Sequence, residues 1–269
     1  MEKTLEFPDV LRLIDERSTA FRAAVASAPS LDVQVPTCPE WTLFDLAQHI
    51  GEGRRDWAAT VAAGPAPAKS AAEGAPAAPR EREALAAWLA ESTEQLLDAL
   101  RKAGPDRGCW TWWETSQSPQ TSGAVARHQL QQMAVHTYDA QITVGAPQPL
   151  PAEAALDGVD EFLSTCCATT SAWPHEPATV DYHATEGRSW RLMLSADGAR
   201  TARLPDPGTP PAGVAVAVAG EEPGMAYASL RGTAGELVLA LYDRIPVDSL
   251  KVDGERRLFD QLQAWDPDE

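Results

Sequence analysis

The sequence predicts two kinds of structure in order, a four-helix bundle followed by a smaller α+β region. Apolar residues recur at helical spacing through the first half of the chain. Short alternating runs separated by Gly, Asp and Pro dominate the second half. A change from helices to strands along a chain is typical of two domains. We therefore expect a helical bundle over residues 1–150 and an α+β domain over residues 151–269.

The composition narrows the class of protein. A chain of 269 residues with 44% apolar and 23% charged residues can bury a sizeable core. Its net charge of −17 argues against a nucleic-acid groove or an anionic membrane surface, since both need clustered Lys and Arg. The N-terminus lacks the apolar segment of a secretory signal, and no apolar run is long enough to span a membrane. We expect a cytoplasmic monomer or homodimer with reduced cysteines.

The predicted helices are delimited by their end signals. Thr42 with Asp45 three residues later is a capping-box pair that begins the second helix. Gly104 and Pro105 end the third helix, and Pro151 begins a fifth. The four long helices are expected at residues 7–28, 42–64, 81–104 and 123–143. The Pro/Ala-rich residues 64–79 are expected to form a loop.

The second half of the chain predicts strands and short helices. Strand-like runs lie at residues 178–186, 188–197, 199–204 and 213–220. Late helices are expected at residues 223–231, 234–242 and 256–265, with a strand near residues 245–252. Cys166 and Cys167, in an apolar helical stretch, are expected to be packing residues.

One helical stretch carries residues that could bind a metal. The segment HQLQQMAVHTYDA places His128, Gln132 and His136 four residues apart, hence on one face of a helix. Gln132 and His136 would supply two ligands, and His49 on the second helix is the candidate for the third. His128 lies about 12 Å from His136 along the helix, too far to share one ion. The spacing alone leaves open an ordinary set of hydrogen-bonded histidines.

Two segments around these residues resemble a known family. VPTCPEWTLFDLAQHIGE resembles the VPxCPxWTVxDLxxHLG signature of the mycothiol-dependent maleylpyruvate isomerase family. His136 and Asp139 are in register with its second signature, R-x-A-H-E-x-x-x-H-R-x-D-A. The last 40 or so residues, from Arg231, are similar to its C-terminal domain. The resemblance implies a DinB-like four-helix bundle followed by a smaller α+β domain with a sterol-carrier-like fold.

The resemblance also implies a site. In that family a divalent metal, typically zinc, is held by His, Glu and His, and it activates the thiol of mycothiol, the small thiol of actinobacteria. His49 and His136 match the two histidines, but the Glu position is Gln132. An amide oxygen is a weaker donor to zinc than a carboxylate. The site is therefore either a tuned metal centre or one that has lost its metal, with Glu114 as an alternative carboxylate. Asp139 is expected to orient an imidazole from outside the ligand set.

Other residues have two interpretations each. Trp112 and Trp113 lie in a predicted loop, where they form either a buried staple or a substrate-binding wall. Arg244 aligns with a family arginine thought to reach the active site, which implies a catalytic role on an acidic substrate. The alternative is a surface arginine. Cys38 is expected to pack rather than to act as a nucleophile.

The function implied by the resemblance is that of a mycothiol-dependent enzyme. The metal-bound thiol would attack an electrophilic small molecule. We favour an S-transferase slightly over a cis–trans isomerase, because Gln132 and the insertion at residues 64–79 depart from the family pattern. A metal-free protein that binds a small ligand and a metal-dependent hydrolase are the alternatives.

Overall fold

The structure, a computed structural model, describes residues 5–67, 77–205 and 227–266. It divides into two compact units. The first unit comprises Met1–Glu114 and Pro119–Asp157, and the second comprises Thr115–Ser118 and Gly158–Glu269. The predicted fold class, a helical bundle followed by an α+β region, is confirmed. Within the described residues, no helix combines the length and the apolar character needed to cross a bilayer.

Four long helices build the first unit: α1 (Phe7–Ser27), α2 (Leu43–Ala63), α3 (Arg82–Ala103) and α4 (Ser122–Thr143). The capping box predicted for α2 is present. The Asp45 backbone N–H donates to the Thr42 hydroxyl at 3.2 Å, and the Thr42 backbone N–H donates to the Asp45 carboxylate at 2.8 Å. This pair satisfies two of the amides that a helix start leaves without a partner.

A two-stranded hairpin, which the sequence did not predict, precedes α2. Its strands are β1 (Gln34–Val35) and β2 (Cys38–Thr42), which pair antiparallel. Leu43 donates its backbone N–H to the carbonyl of Val33 at 2.9 Å. The hairpin thereby joins the start of α2 and holds the side chains of β2 against the bundle.

A buried arginine connects the four helices. Arg54 of α2 donates to the hydroxyl of Ser18 on α1 at 2.7 Å and to that of Thr93 on α3, and its guanidinium contacts the Met133 sulfur on α4. Its side chain is 3% exposed. Loss of hydration lowers the pKa of Arg54 to about 9, and repulsion from Arg22 adds to the effect. The bundle therefore contains an ion whose described hydrogen-bond partners are neutral.

A five-stranded sheet forms the centre of the second unit. Its strands are β3 (Ala178–Ala184), β4 (Ser189–Ser195), β5 (Gly198–Arg203), β6 (Ala228–Gly232) and β7 (Lys251–Gly254), in the order β5-β4-β3-β6-β7. β3 and β6 are parallel, and the other neighbours are antiparallel. Helix α5 (Ala152–Phe162) begins in the first unit, ends in the second and is followed by a π-helical turn. The other two helices of the second unit are α6 (Ala234–Leu241) and α7 (Arg257–Ala264).

Two expectations for this unit are wrong. The helix expected at residues 223–231 is strand β6 from Ala228 onward, because pairing with β3 on one side and β7 on the other overrides the local helix preference. The strand expected near residues 245–252 begins only at Lys251, after a 3₁₀ turn. The strand expected at residues 213–220 lies outside the described residues.

The second unit contains a partly open, mainly apolar cavity of about 250 Å³. Cys166 and Cys167 line it together with aromatic and aliphatic side chains, among them Tyr182 and Phe259. Burial raises the pKa of Cys167 to about 12, and Glu161 adds to the rise. Both thiols therefore stay protonated at neutral pH, since burial also raises the pKa of Cys166.

Candidate functional site

Two imidazoles from different helices face each other in the bundle. The ring centroids of His49 on α2 and His136 on α4 lie 5.4 Å apart, with an angle of 76° between the rings. Trp41 of β2 packs against both rings, at centroid distances of 4.8 Å to His49 and 6.3 Å to His136. We call His49 and His136 the imidazole pair. The hairpin and the two helices thus bring together residues that are far apart in the sequence.

Hydrogen bonds orient His136. Its Nδ1 lies 2.8 Å from the Asp139 Oδ2, one helical turn further along α4. Thr37 donates its hydroxyl to Asp139 Oδ1 at 2.6 Å, and the Cys38 sulfur lies 3.8 Å from Oδ2. Asp139 itself is 0% exposed. Because an ionised carboxylate can only accept, the proton of a neutral His136 is assigned to Nδ1, which leaves the lone pair on Nε2.

His49 is a neutral donor at neutral pH. Its side chain is exposed to solvent on one side, but Trp41 and His136 pack against the ring and remove part of its hydration. This burial lowers the pKa of His49 to about 4, and repulsion from His136 contributes. At neutral pH the ring therefore carries no charge. A neutral imidazole is the form that binds a metal ion.

Gln132 lies one turn before His136 on the same face of α4 and is half-buried. In the part of the chain that the structure describes, its amide has no hydrogen-bond partner. Among those same residues, no group of three or more His, Cys, Asp or Glu side chains is arranged to hold a metal ion. Glu114 is exposed. The third protein donor beside the imidazole pair would therefore be the Gln132 amide oxygen.

The donors fit a divalent metal, though without a negative charge. Two imidazoles bound to one tetrahedral zinc ion have ring centroids about 5 Å apart, close to the 5.4 Å observed. Ordinary packing of two rings gives a similar distance, so the spacing permits an ion without requiring one. A carboxylate would attract the ion more strongly than the amide of Gln132 does. A zinc ion bound by this set would therefore be held more weakly than by a His₂Glu set.

A second aromatic cluster lies two turns away along the same two helices. The His128 ring centroid lies 6.2 Å from that of Trp57, 5.7 Å from that of Trp112 and 5.3 Å from that of Trp113. We call these four residues the aromatic box. Trp113 is 2% exposed and donates its Nε1–H to the Pro119 carbonyl at 3.3 Å, whereas Trp112 is 49% exposed. Trp112 and Trp113 thus differ: one belongs to the core and the other forms an open wall.

Arg244 lies in the second unit, in the turn after α6. It is half-buried, and its Nη1 donates to the Tyr242 carbonyl at 2.6 Å. The preceding residue, Asp243, has a left-handed backbone with φ of 58°. The turn therefore fixes the side chain close to its own backbone, and the catalytic role of Arg244 stays a prediction.

Thr37 and Trp57 were not predicted from the sequence as site residues. A signal for Trp57 was present, because it follows His49 by the same eight residues that separate His128 from His136. Residues at that spacing share one helix face. Thr37 gave no such signal, because its bond to Asp139 depends on a contact between residues 102 positions apart.

The fold and the site define a class: a two-unit protein in which a four-helix bundle carries an imidazole pair and an α+β unit follows it along the chain. Comparison with family models defines it further. The mycothiol maleylpyruvate isomerase N-terminal domain matches residues 11–141, and the MDMPI C-terminal domain matches residues 153–261. These matches span most of the chain. The chain therefore belongs to the mycothiol-dependent maleylpyruvate isomerase family.

A solved structure supports the fold. The chain is similar to a histidine-to-alanine mutant of the mycothiol-dependent maleylpyruvate isomerase, with a TM-score of 0.57 and 12% sequence identity. The match covers 95% of this chain and 97% of the other. No curated protein sequence matches the chain. At this level of identity the likeness establishes the fold alone.

Proposed function

We propose that this chain is a mycothiol-dependent enzyme that binds a divalent metal, with zinc the first choice, through His49, Gln132 and His136. The observation that supports it most is the imidazole pair. His49 is a neutral donor at neutral pH, and Asp139 orients the ring of His136, which faces it. Family membership supports mycothiol as the thiol.

When bound, the metal would lower the pKa of the mycothiol thiol and favour the thiolate. The residues of this chain act around that centre. Asp139 keeps the Nδ1 proton of His136 in place, so that Nε2 remains a donor. Gln132 adds no negative charge, which leaves the centre one unit more positive than with Glu. Trp41 covers the imidazole pair and excludes water from that side.

The thiolate would attack an electrophilic carbon of the second substrate. If the thiol leaves again after rotation about a bond, the enzyme is a cis–trans isomerase and the thiol is recovered. If the new carbon–sulfur bond persists, the enzyme is an S-transferase and the thiol is consumed. We favour the transferase slightly, because Gln132 and residues 64–79 depart from the family pattern.

Two further roles belong to this proposal. The half-exposed Trp112, backed by the buried Trp113, would bind the substrate. Arg244 would act on an acidic substrate by binding a carboxylate through two parallel hydrogen bonds. In a protein of net charge −17, an anionic substrate needs such a cation.

A metal-free binding protein is the second candidate. The observation that favours it is the apolar cavity of about 250 Å³ in the second unit, together with the missing carboxylate in the donor set. In that case the imidazole pair would be a remnant, and the cavity would hold a small apolar ligand.

The thiol pKa tests the proposal without knowledge of the electrophile. We would titrate the ultraviolet absorbance of the mycothiolate with and without stoichiometric zinc-loaded protein. We expect an apparent thiol pKa well below the free value of about 8.5, and an unshifted value with His136→Ala. An unshifted pKa with the wild-type protein would contradict the mechanism. Product analysis with maleylpyruvate and with an alkylating electrophile would then separate isomerase, which recovers the thiol, from transferase, which consumes it.

A further inference from the structure

Three contacts fix how α2 and α4 face each other. His49 contacts His136, Arg54 contacts Met133, and Trp57 contacts His128. As the residue number rises along α2 it falls along α4, so the two helices run antiparallel.

Gly53 and Gln132 come level with each other in this register. Gly53 lies four residues after His49 and four before Trp57, and Gln132 lies four residues from His136 and from His128. One row of side chains on each helix therefore connects the imidazole pair to the aromatic box. We call the two rows the α2–α4 stripe; its members are His49, Gly53 and Trp57 on α2, and His136, Gln132 and His128 on α4.

The space beside Gly53 is open. A Cβ atom placed on Gly53 would meet no heavy atom of the described residues within 4 Å. By contrast, a Cβ on Gly51 would lie 1.8 Å from the Trp88 ring, because that side of α2 packs against α3. The missing side chain of Gly53 thus leaves a gap in the stripe between the imidazole pair and the aromatic box.

The aromatic box offers ring surfaces in two orientations. Trp112 stands at 87° to Trp113 and at 75° to His128, whereas Trp57 lies at 33° to Trp113. Trp113 is buried and so holds the arrangement, while the exposed Trp112 leaves one side open. Aromatic rings arranged edge to face interact most favourably with another planar ring, because that ring can stack on one of them and contact the edge of the next.

We propose that the aromatic box is a subsite for a planar apolar ring of the electrophilic substrate, which reaches it from the imidazole pair through the gap at Gly53. Eight residues of helix rise about 12 Å, so the substrate class carries its ring about two helical turns from the reacting carbon. The sugar-like rings of the thiol suit the box less, because they are not planar and cannot stack on one ring while meeting the edge of the next. This assignment to the electrophile rests on the proposed function.

Two probes and a graded series at Gly53 test the subsite. The full-length, zinc-free protein would be titrated calorimetrically with 1-naphthylacetamide, a planar probe, and with cyclohexylacetamide, its non-planar counterpart. Gly53→Leu fills the gap and Gly53→Ala adds one methyl group to open space. Both residues favour helix, so the pair separates blocking from unfolding. Trp112→Ala removes the exposed wall.

The expected result is tighter binding of the planar probe, by about tenfold, over the non-planar one. Gly53→Leu and Trp112→Ala should each weaken binding of the planar probe about tenfold, whereas Gly53→Ala should change it less than about twofold. Equal binding of the two probes, no saturable binding, or no effect of Gly53→Leu would overturn the proposal.

Displacement separates the two possible occupants. Mycothiol added to the zinc-free protein should leave the planar probe bound. If mycothiol displaces the planar probe from the wild-type protein but not from the Trp112→Ala variant, the aromatic box binds the sugar rings of the thiol. That result would overturn the proposal. Because these titrations need neither metal nor turnover, their failure would leave the proposed thiol activation standing, and a failure of thiol activation would leave the ring-binding result standing.

Discussion

The two ends of the α2–α4 stripe differ in what holds their side chains. At the imidazole pair, directional hydrogen bonds run from Thr37 through Asp139 to His136. At the aromatic box, rings pack on one another around the buried Trp113. A hydrogen bond fixes a tautomer and a charge, whereas packing fixes a shape. Substitutions at one end should therefore alter metal and thiol binding, and substitutions at the other should alter stability and ring binding.

The largest effect of a substitution is expected on the free energy of unfolding, within the aromatic box. Trp113→Ala should lower the free energy of unfolding by about 3–5 kcal/mol, because it opens a cavity in the core. Trp112→Ala should cost less than about 1 kcal/mol, since that ring is 49% exposed. Urea unfolding of the two variants measures the difference. Equal losses would show that both rings are structural and would remove Trp112 from the substrate-binding role.

The next effect concerns the imidazole pair. Asp139→Asn keeps the size of the side chain but removes its charge and offers His136 a poorer acceptor. The affinity for zinc should fall about 10–100-fold. Competition against a chromophoric chelator measures it, with Trp112→Ala as a control expected to match the wild type. A fall with Trp112→Ala as large as with Asp139→Asn would contradict the separation of the two ends.

Arg54 lies between the two ends, and its charge is expected to cost stability. Its pKa in the folded protein is about 9, below the ordinary value of 12.5. Between these two pH values the unfolded chain therefore binds more protons than the folded chain. The free-energy cost of burying the charge is greatest below pH 9 and decreases as the pH rises above 9. Arg54→Met should raise the free energy of unfolding by about 1–2 kcal/mol near neutral pH.

Two measurements check this expectation for Arg54. Denaturant unfolding of Arg54→Met and wild type near neutral pH should show the gain, and the same comparison about one pH unit above the pKa should show a smaller one. Ser18 and Thr93 keep partners in the variant, since each also donates to a carbonyl of its own helix. A net loss of stability near neutral pH would mean that the hydrogen bonds of Arg54 outweigh the cost of its burial.

The smallest effect on the free energy of unfolding is expected at the gap beside Gly53. Gly53→Ala should raise the free energy of unfolding by about 0.5–1 kcal/mol, because Ala loses less backbone entropy in a helix and its methyl group meets open space. Gly51→Ala is the matched contrast and should destabilise, since its methyl group would overlap Trp88. Destabilisation by Gly53→Ala would show that the stripe is closed at this point.

Local rules predicted much of the site from the sequence. The spacing of His128, Gln132 and His136 fixed their common face, because that face depends only on helix geometry. The capping box of α2 was equally local. The expected bundle made His49 the candidate partner on the other helix, and the resemblance to the family matched it to a family histidine. The contact of His49 with His136 agrees with both.

Contacts between distant segments could not be predicted in this way. The bond from Thr37 to Asp139 and the packing of Trp57 on His128 depend on how the hairpin and helices assemble. The prediction for the residues of β6 was wrong for the same reason. The short stretch that begins at Ala228 takes its conformation from β3 and β7, the strands on either side. In each case tertiary pairing decided the outcome.

Metal content tests the central claim most directly. Zinc would be measured in the untagged protein as purified, beside His49→Ala and His136→Ala. The account predicts about one zinc ion per chain in the wild type and none in either variant, because each imidazole supplies one of few donors. A wild-type protein that stays free of metal after zinc is added would contradict it and favour the metal-free binding protein.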